Sequence, residues 1–495
     1  MKLLSNKFLW LFFLVLGLHL FMRVYNFEQL LGYGHDEDLA GWIIKDIVVD
    51  HHFRLIGQET SVDGLFIGPT FYYLETLFFI LFKLDPIGGY FLTLTISILT
   101  LFGFYYVFNR FFGNKIALFG TLIYAGSLSL VNFDKWVVPT QPTLLWSIWF
   151  LYCLFSLMEG DFKVLAILGI LFGFIWHVHI ALVPLTLLIF PALYFSKKRS
   201  NPKQFFFNRY FLIGLIFLII LVSPFFLFEV KHGFIQTKGL LTASIQDRNS
   251  ISGFPRVLKI LDGISQGMLT VFYGGRLNNT FPEKVFQAIS LILVTVFLLV
   301  TRKNLGKRFW IIVGWFLLVF LGQMISKRTI SEYYFANLNI LIILITAVFL
   351  NKLNSTFPKK NIAFLLISIF VITNLTFLMN LPPDNEGYLV RKKVVSFIKF
   401  DSTLNNYPCF AINYITWSGK NAGYHYFFFL NNLKIITPGN DVSVYSIVNP
   451  TVISSKEIEY SQGSVGIITP KNFQINPSSC TDPARQLLPL WGFNN

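Results

Sequence analysis

Apolar runs of nearly twenty residues recur along this chain as far as residue 380, separated by short polar stretches. Such runs are long enough to cross a bilayer as helices. The pattern predicts about eleven spans, at 8–25, 88–108, 116–131, 142–158, 164–178, 180–195, 210–228, 285–301, 310–326, 333–350 and 362–380. The apolar segment 69–84 is shorter, follows Gly68 and carries Glu75 and Lys83, which suits a helix lying in the interface. From Phe254 to Val271, apolar and polar residues mix at helical spacing. Val257, Leu258, Leu261, Ile264 and Met268 share a face, predicting a second interfacial helix. Beyond residue 380 the chain turns polar and rich in Asn, Ser and Pro, with short β-like runs at 409–414 and 466–469. Two units follow: an all-α polytopic membrane domain over 1–380 and a small soluble α/β domain over 381–495.

Composition supports the membrane reading. Only 13% of residues are charged, against about 25% in soluble domains. The net charge of +15 would suit nucleic acid if it formed one basic face, but the Lys and Arg residues sit in short loops between the apolar runs. Nucleic-acid binding is excluded as a reading. The basic residues instead sort the loops. Lys2, Lys7, Arg110, Lys115, Lys163, 197–209, 302–308, Lys352, Lys359 and Lys360 all fall on one side if 69–84 does not span. That side is cytoplasmic by the positive-inside rule. The N-terminus is then inside, and the 381–495 domain is outside an integral protein of the cell membrane. The first apolar run lacks a small-residue cleavage site after it and is expected to be an uncleaved span. Cys409 and Cys480 both lie in the outer domain, where a disulfide is permitted; Cys153 lies in an apolar run.

This topology gathers the polar chemistry on the outer face. His35-Asp36-Glu37-Asp38 follows the first span directly. A carboxylate there can act as a general base toward a hydroxyl or amine, and a second acid can tune it. Acids at a helix start also cap it, and the two roles can coexist. Arg54 stands in a polar loop that ends in Gly64-x-x-x-Gly68, glycines that permit close backbone approach. Asp134-Lys135-Trp136 leads to Pro139 and Gln141, in a turn that either faces a cavity or simply reverses the chain. His177 and His179 end a predicted span. Lys327 and Arg328, followed by Tyr333, put two cations at the outer surface, suited to a phosphate or to snorkelling. A divalent cation held by His35, Asp36 and Asp38 with His177 and His179 is a weaker reading, because residues two apart on a helix do not share a face. No CxxC pair is present.

Taken in order, these pieces resemble a known family. The Asp36-Glu37 pair precedes an amphipathic stretch. Gly68-Pro69-Thr70-Phe71-Tyr72-Tyr73 opens the first interfacial helix, and Arg110-Phe111-Phe112-Gly113 lies in the first inner loop. The turn at 139–142, Pro224 to Glu229 with Lys231-His232-Gly233-Phe234, and Tyr333-Tyr334-Phe335 complete the series. Over roughly residues 1–380 the layout resembles the GT-C membrane glycosyltransferases, specifically the protein O-mannosyltransferase-like and aminoarabinose-transferase-like proteins of glycosyltransferase family 39. The resemblance implies a polyprenyl-phosphate sugar donor, an inverting transfer on the extracytoplasmic face, and a lipid, glycan or protein acceptor. It implies Asp36 as catalytic base, and Glu37 or Asp38 is expected to act beside it as an electrostatic helper. Asp38, Arg54, Gln141, His177, His179, Lys327, Arg328 and Tyr333 are the expected substrate contacts. Many members carry an acid where this chain has Gln141, and Lys-Gly-Pro where it has His177-Val178-His179.

Two other functions fit the same topology. A lipid-linked glycan ligase or polymerase would share the donor. A transporter or flippase would instead place ionisable groups near the bilayer midplane. The predicted spans here hold almost none, which favours an enzyme at the interface.

Overall fold

In a computed structural model the chain is described over residues 7–60, 64–196, 208–243, 251–274, 281–326, 329–417, 419–439, 441–454, 457–471, 477–482 and 485. Among the described residues seven helices are long and apolar enough to cross a membrane: Lys7–Val24, Ile87–Phe112, Arg209–Lys231, Pro282–Leu305, Arg308–Ile325, Glu332–Thr356 and Ile362–Met379. The pair Asn114–Gly126 and Leu128–Lys135 makes an eighth, bent by 65°. The bend is held by contacts from elsewhere in the fold. The Ser127 hydroxyl donates to the Val271 carbonyl, and the Leu128 amide donates to Asn374 Oδ1, so backbone that leaves the helix still finds partners.

Thr143–Glu159, Phe162–Val178 and Ile180–Tyr194 are shorter apolar helices in the positions of three expected spans. The last runs as a tight 3-10 helix from Ile180 to Leu188, with Pro184 inside it, before becoming α-helical. Proline cannot donate to the preceding turn, and its ring crowds it. The first expected interfacial helix forms over Thr70–Leu81 and the second over Gly253–Phe272. The second buries Ile260, Ile264 and Met268, while Leu258 and Leu261 face outward. Its core face is thus turned from the expected one.

The loops assigned to one side do meet. Glu159 accepts from Arg110 and from Arg308, each at 3.0 Å, and Arg308 also donates to the Phe111 carbonyl at 2.9 Å. At the opposite end of the bundle the chain passes into helix Tyr388–Leu404 and a five-stranded sheet. Its strands are β1 (Phe410–Thr416), β2 (Ile435–Ile436), β3 (Val444–Asn449), β4 (Tyr460–Gln462) and β5 (Val465–Ile468). The order is β2-β1-β3-β5-β4. β1 runs parallel to β2 and β3, whereas β5 is antiparallel to β3 and β4. Tyr445, Ile447 and Ile467 fill the core beneath helix Tyr388–Leu404. Cys409 and Cys480 form a disulfide across 71 residues, and Cys153 is buried and free.

This C-terminal domain is bonded to the helical bundle at specific points. The Tyr388 hydroxyl and Lys392 Nζ both donate to Asp85, each at 2.6 Å. The Tyr388 amide donates to the Leu31 carbonyl, and the Tyr426 hydroxyl to the Leu84 carbonyl. Gly41 lets the Tyr426 ring lie against helix His35–Val48; a β-carbon there would fall 2.5 Å from the ring.

Candidate active site

The acid cluster forms the first turn of helix His35–Val48. The Glu37 carboxylate reaches back to accept the Gly34 amide at 2.8 Å, closing the helix start. An α-helix turns by about 100° per residue, so three consecutive acids cannot face the same way. Asp36 faces a cavity. Glu37 lines a different one. Asp38 points into the C-terminal domain.

The Asp36 cavity has a volume of about 580 Å³. Its wall combines polar groups from Gln58, Glu59, His179 and Tyr333 with apolar ones such as Val183 and Leu318. Trp136, His179, Tyr333 and Tyr334 form a connected aromatic group, with ring centroids 4.7–5.9 Å apart. Asp36 is half-buried, and its carboxylate has no hydrogen-bond partner among the described residues. Burial raises its pKa, partly opposed by the neighbouring His35. Burial also pushes Glu37 up to about 7, with the Gly34 amide opposing and Asp36 reinforcing the shift.

A second, almost wholly apolar cavity of about 890 Å³ is lined by Leu9, Phe12, Phe71, Phe102, Trp149 and Phe174, among others. Its Thr70 and His177 lie close in sequence to Ile67 and Trp176 of the Asp36 cavity.

The other expected contact residues divide. His179 and Tyr333 line the Asp36 cavity. His179 also caps the following 3-10 turn by accepting the Ala181 amide. Asp38 does not reach the cavity. It is fully buried and accepts the backbone amides of Gly423, His425 and Tyr426 at 3.2, 3.1 and 2.7 Å. It thereby caps helix His425–Leu430 of the C-terminal domain, and burial, offset by these amides, puts its pKa at about 6.

Arg54 is buried in an ion pair with Asp46 at 2.6 Å, so its charge is already matched. His177 is a bracket. Its Nε2 pairs with the Leu221 carbonyl at 2.8 Å, and its ring packs where a β-carbon on Gly68 would stand. The close approach allowed by that glycine is therefore to a histidine of the same chain. Gln141 is drawn toward Asp134 at 3.5 Å and does not line the Asp36 cavity. Lys327 and Arg328 lie outside the described residues; the preceding Ser326 lines the cavity. Among the described residues no group of three or more His, Cys, Asp or Glu converges to hold a metal ion.

One feature was missed from sequence. Arg23 and Asp134 form a pair buried to 1% and 2% exposure, at 2.5 Å, joined by the Tyr124 hydroxyl. The single Arg near the end of an otherwise apolar run is the signal that could have exposed it. Of the two readings of the turn that begins at Asp134, the structure bears out the cavity-facing one: Trp136 is a wall shared by several cavities.

Comparison with known proteins places this geometry. The family model for dolichyl-phosphate-mannose-protein mannosyltransferase matches residues 67–228. No curated protein matches the sequence. The structure of ArnT from Cupriavidus metallidurans bound to undecaprenyl phosphate superposes with a TM-score of 0.59 at 11% identity, covering 95% of this chain and all of that one. The apo form of the same protein gives 0.57 at 12% identity, covering 94% of this chain and 98% of that one. The chain has the GT-C fold of membrane glycosyltransferases.

Proposed function

We propose that this GT-C-fold protein is a membrane glycosyltransferase that moves a sugar from a polyprenyl-phosphate donor to an acceptor on the extracytoplasmic face. The observation that carries the reading is Asp36. Its carboxylate is half-buried, lacks a hydrogen-bond partner among the described residues, and faces a cavity whose wall runs from polar outer residues to apolar ones on membrane helices. A donor with a charged head and an isoprenoid tail needs such a graded wall. The adjoining apolar cavity offers room for the tail. The similar ArnT structure holds undecaprenyl phosphate.

The chemistry assigned to these residues is a single displacement. Asp36 takes the proton of the acceptor hydroxyl or amine. The acceptor heteroatom bonds to the anomeric carbon as its bond to the phosphate oxygen breaks, and polyprenyl phosphate leaves with the electron pair. A direct displacement inverts the anomeric centre. Burial raises the Asp36 pKa and makes it a stronger base than an exposed carboxylate. Tyr333, His179 and Trp136 would enclose the sugar, and Lys327 and Arg328 would hold the departing phosphate. The disulfide in the outer domain supports an oxidising compartment for that side.

The test is to incubate membranes containing the protein with labelled polyprenyl-phosphate sugars and determine the product's anomeric configuration. Transfer with inversion is expected. Transfer with retention would rule out the single displacement, and failure with every such donor would rule out the donor class.

A further inference from the structure

Lys135 ends helix Leu128–Lys135, one residue before Trp136. The residue is 6% exposed, and its Nζ has no hydrogen-bond or ion-pair partner among the described residues. Removing an ammonium group from water costs several kcal/mol unless a counter-charge offsets it. The adjacent carboxylate does not serve. Asp134 is already engaged by Arg23, Tyr124 and Gln141. Among the described residues, every other buried Lys or Arg of the bundle is provided for: Arg23 by Asp134, Arg54 by Asp46 and Arg256 by the Gln323 carbonyl.

Lys135 lines a cavity of about 390 Å³, together with Glu37, Ser129, Asn132, Trp136 and Asp384. Trp136 also walls the Asp36 cavity, and Glu37 is the next residue after Asp36. The two cavities share the Trp136 wall, and their acids are consecutive residues of one helix. One has a long apolar side, suited to a lipid-linked donor. The other is smaller, mixes polar and apolar walls, and has no apolar side as long.

We propose that the Lys135 cavity is the acceptor site, and that the acceptor is a hydroxyl compound carrying an oxyanion, phosphate or carboxylate, bound by Lys135. The inference rests on the glycosyl-transfer reading above. Lys135 supplies the counter-charge for the oxyanion. Glu37, Asp384 and Asn132 accept or donate to hydroxyls, and the reacting hydroxyl points past Trp136 toward Asp36. The buried cation selects against neutral acceptors, because a neutral molecule would leave the buried ammonium without a counter-charge.

The test uses full-length protein purified in detergent, with sn-glycerol 3-phosphate, glucuronate and neutral glycerol as probes, followed by calorimetric titration. Wild type is expected to bind glycerol 3-phosphate or glucuronate, the stronger of the two naming the oxyanion, and not glycerol. Lys135→Met should weaken that binding tenfold or more, Lys135→Arg should retain it, and both should bind undecaprenyl phosphate like wild type. Asp36→Asn should bind the anion normally, so failure of the transfer reading would leave this result standing. The proposal is overturned if wild type binds neither anion, if Lys135→Met binds as wild type does, or if it loses undecaprenyl phosphate instead, which would assign Lys135 to the donor. If Lys135→Met does not fold, Lys135→Gln takes its place with the same expected loss.

Discussion

Replacing Asp38 with Ala should loosen the C-terminal domain from the helix that carries Asp36 without unfolding the membrane bundle. Three buried amides, those of Gly423, His425 and Tyr426, lose their acceptor at once. An orphaned buried donor costs about 1–2 kcal/mol at the lower end of the known range, so the three together cost roughly 3–6 kcal/mol. About 1–2 kcal/mol is recovered because a carboxylate no longer has to be buried. The net loss is about 2–4 kcal/mol, confined to one contact between the domains. Amide hydrogen exchange over 423–430 should accelerate by roughly thirty- to several-hundredfold, while exchange in helix Ile87–Phe112 stays unchanged. The pH dependence has a defined sign. Asp38 has a folded pKa of about 6, above its ordinary 3.8, so the folded state holds its proton more tightly. Its contribution to stability is therefore full below about pH 4 and is lost as pH rises through about 6. Asp38→Ala should abolish that slope. Wild-type exchange rates at 423–430 in the variant would refute the clamp.

Asp134→Ala leaves Arg23 buried without a partner and should cost about 3–5 kcal/mol, read as a lowered thermal midpoint in detergent, whereas Arg23→Met with Asp134→Leu should recover most of it. A reporter fused after Lys203 should read as cytoplasmic and one fused after Phe400 as extracytoplasmic; the reverse would overturn the orientation drawn from the basic loops.

Hydrophobic periodicity revealed the spans because lipid imposes that pattern on each helix separately. It also revealed both interfacial helices. It did not reveal the break at Ser127, where hydroxyl and amide partners come from Val271 and Asn374, far along the chain. The acid cluster was legible as a cluster but not as three separate jobs. Consecutive residues on a helix face different directions, and what lies in each direction is set by the tertiary fold. Asp36 meets a cavity, Glu37 the helix start and a second cavity, and Asp38 a helix of the C-terminal domain nearly four hundred residues away. Arg54, Gln141 and His177 have the right chemistry for ligands, but Asp46, Asp134 and Leu221 engage them first. Nothing in local sequence announces a partner at such a distance.

The most direct test of the account is single-turnover transfer from a polyprenyl-phosphate sugar by wild type and Asp36→Asn, with Glu37→Gln alongside. Loss of a general base lowers a rate by about 10²–10⁴, equivalent to roughly 3–5 kcal/mol in the barrier. Asp36→Asn should show that loss with normal membrane insertion and normal donor binding, and Glu37→Gln a smaller one. Transfer by Asp36→Asn within a few-fold of wild type would contradict the assignment of Asp36 as the base.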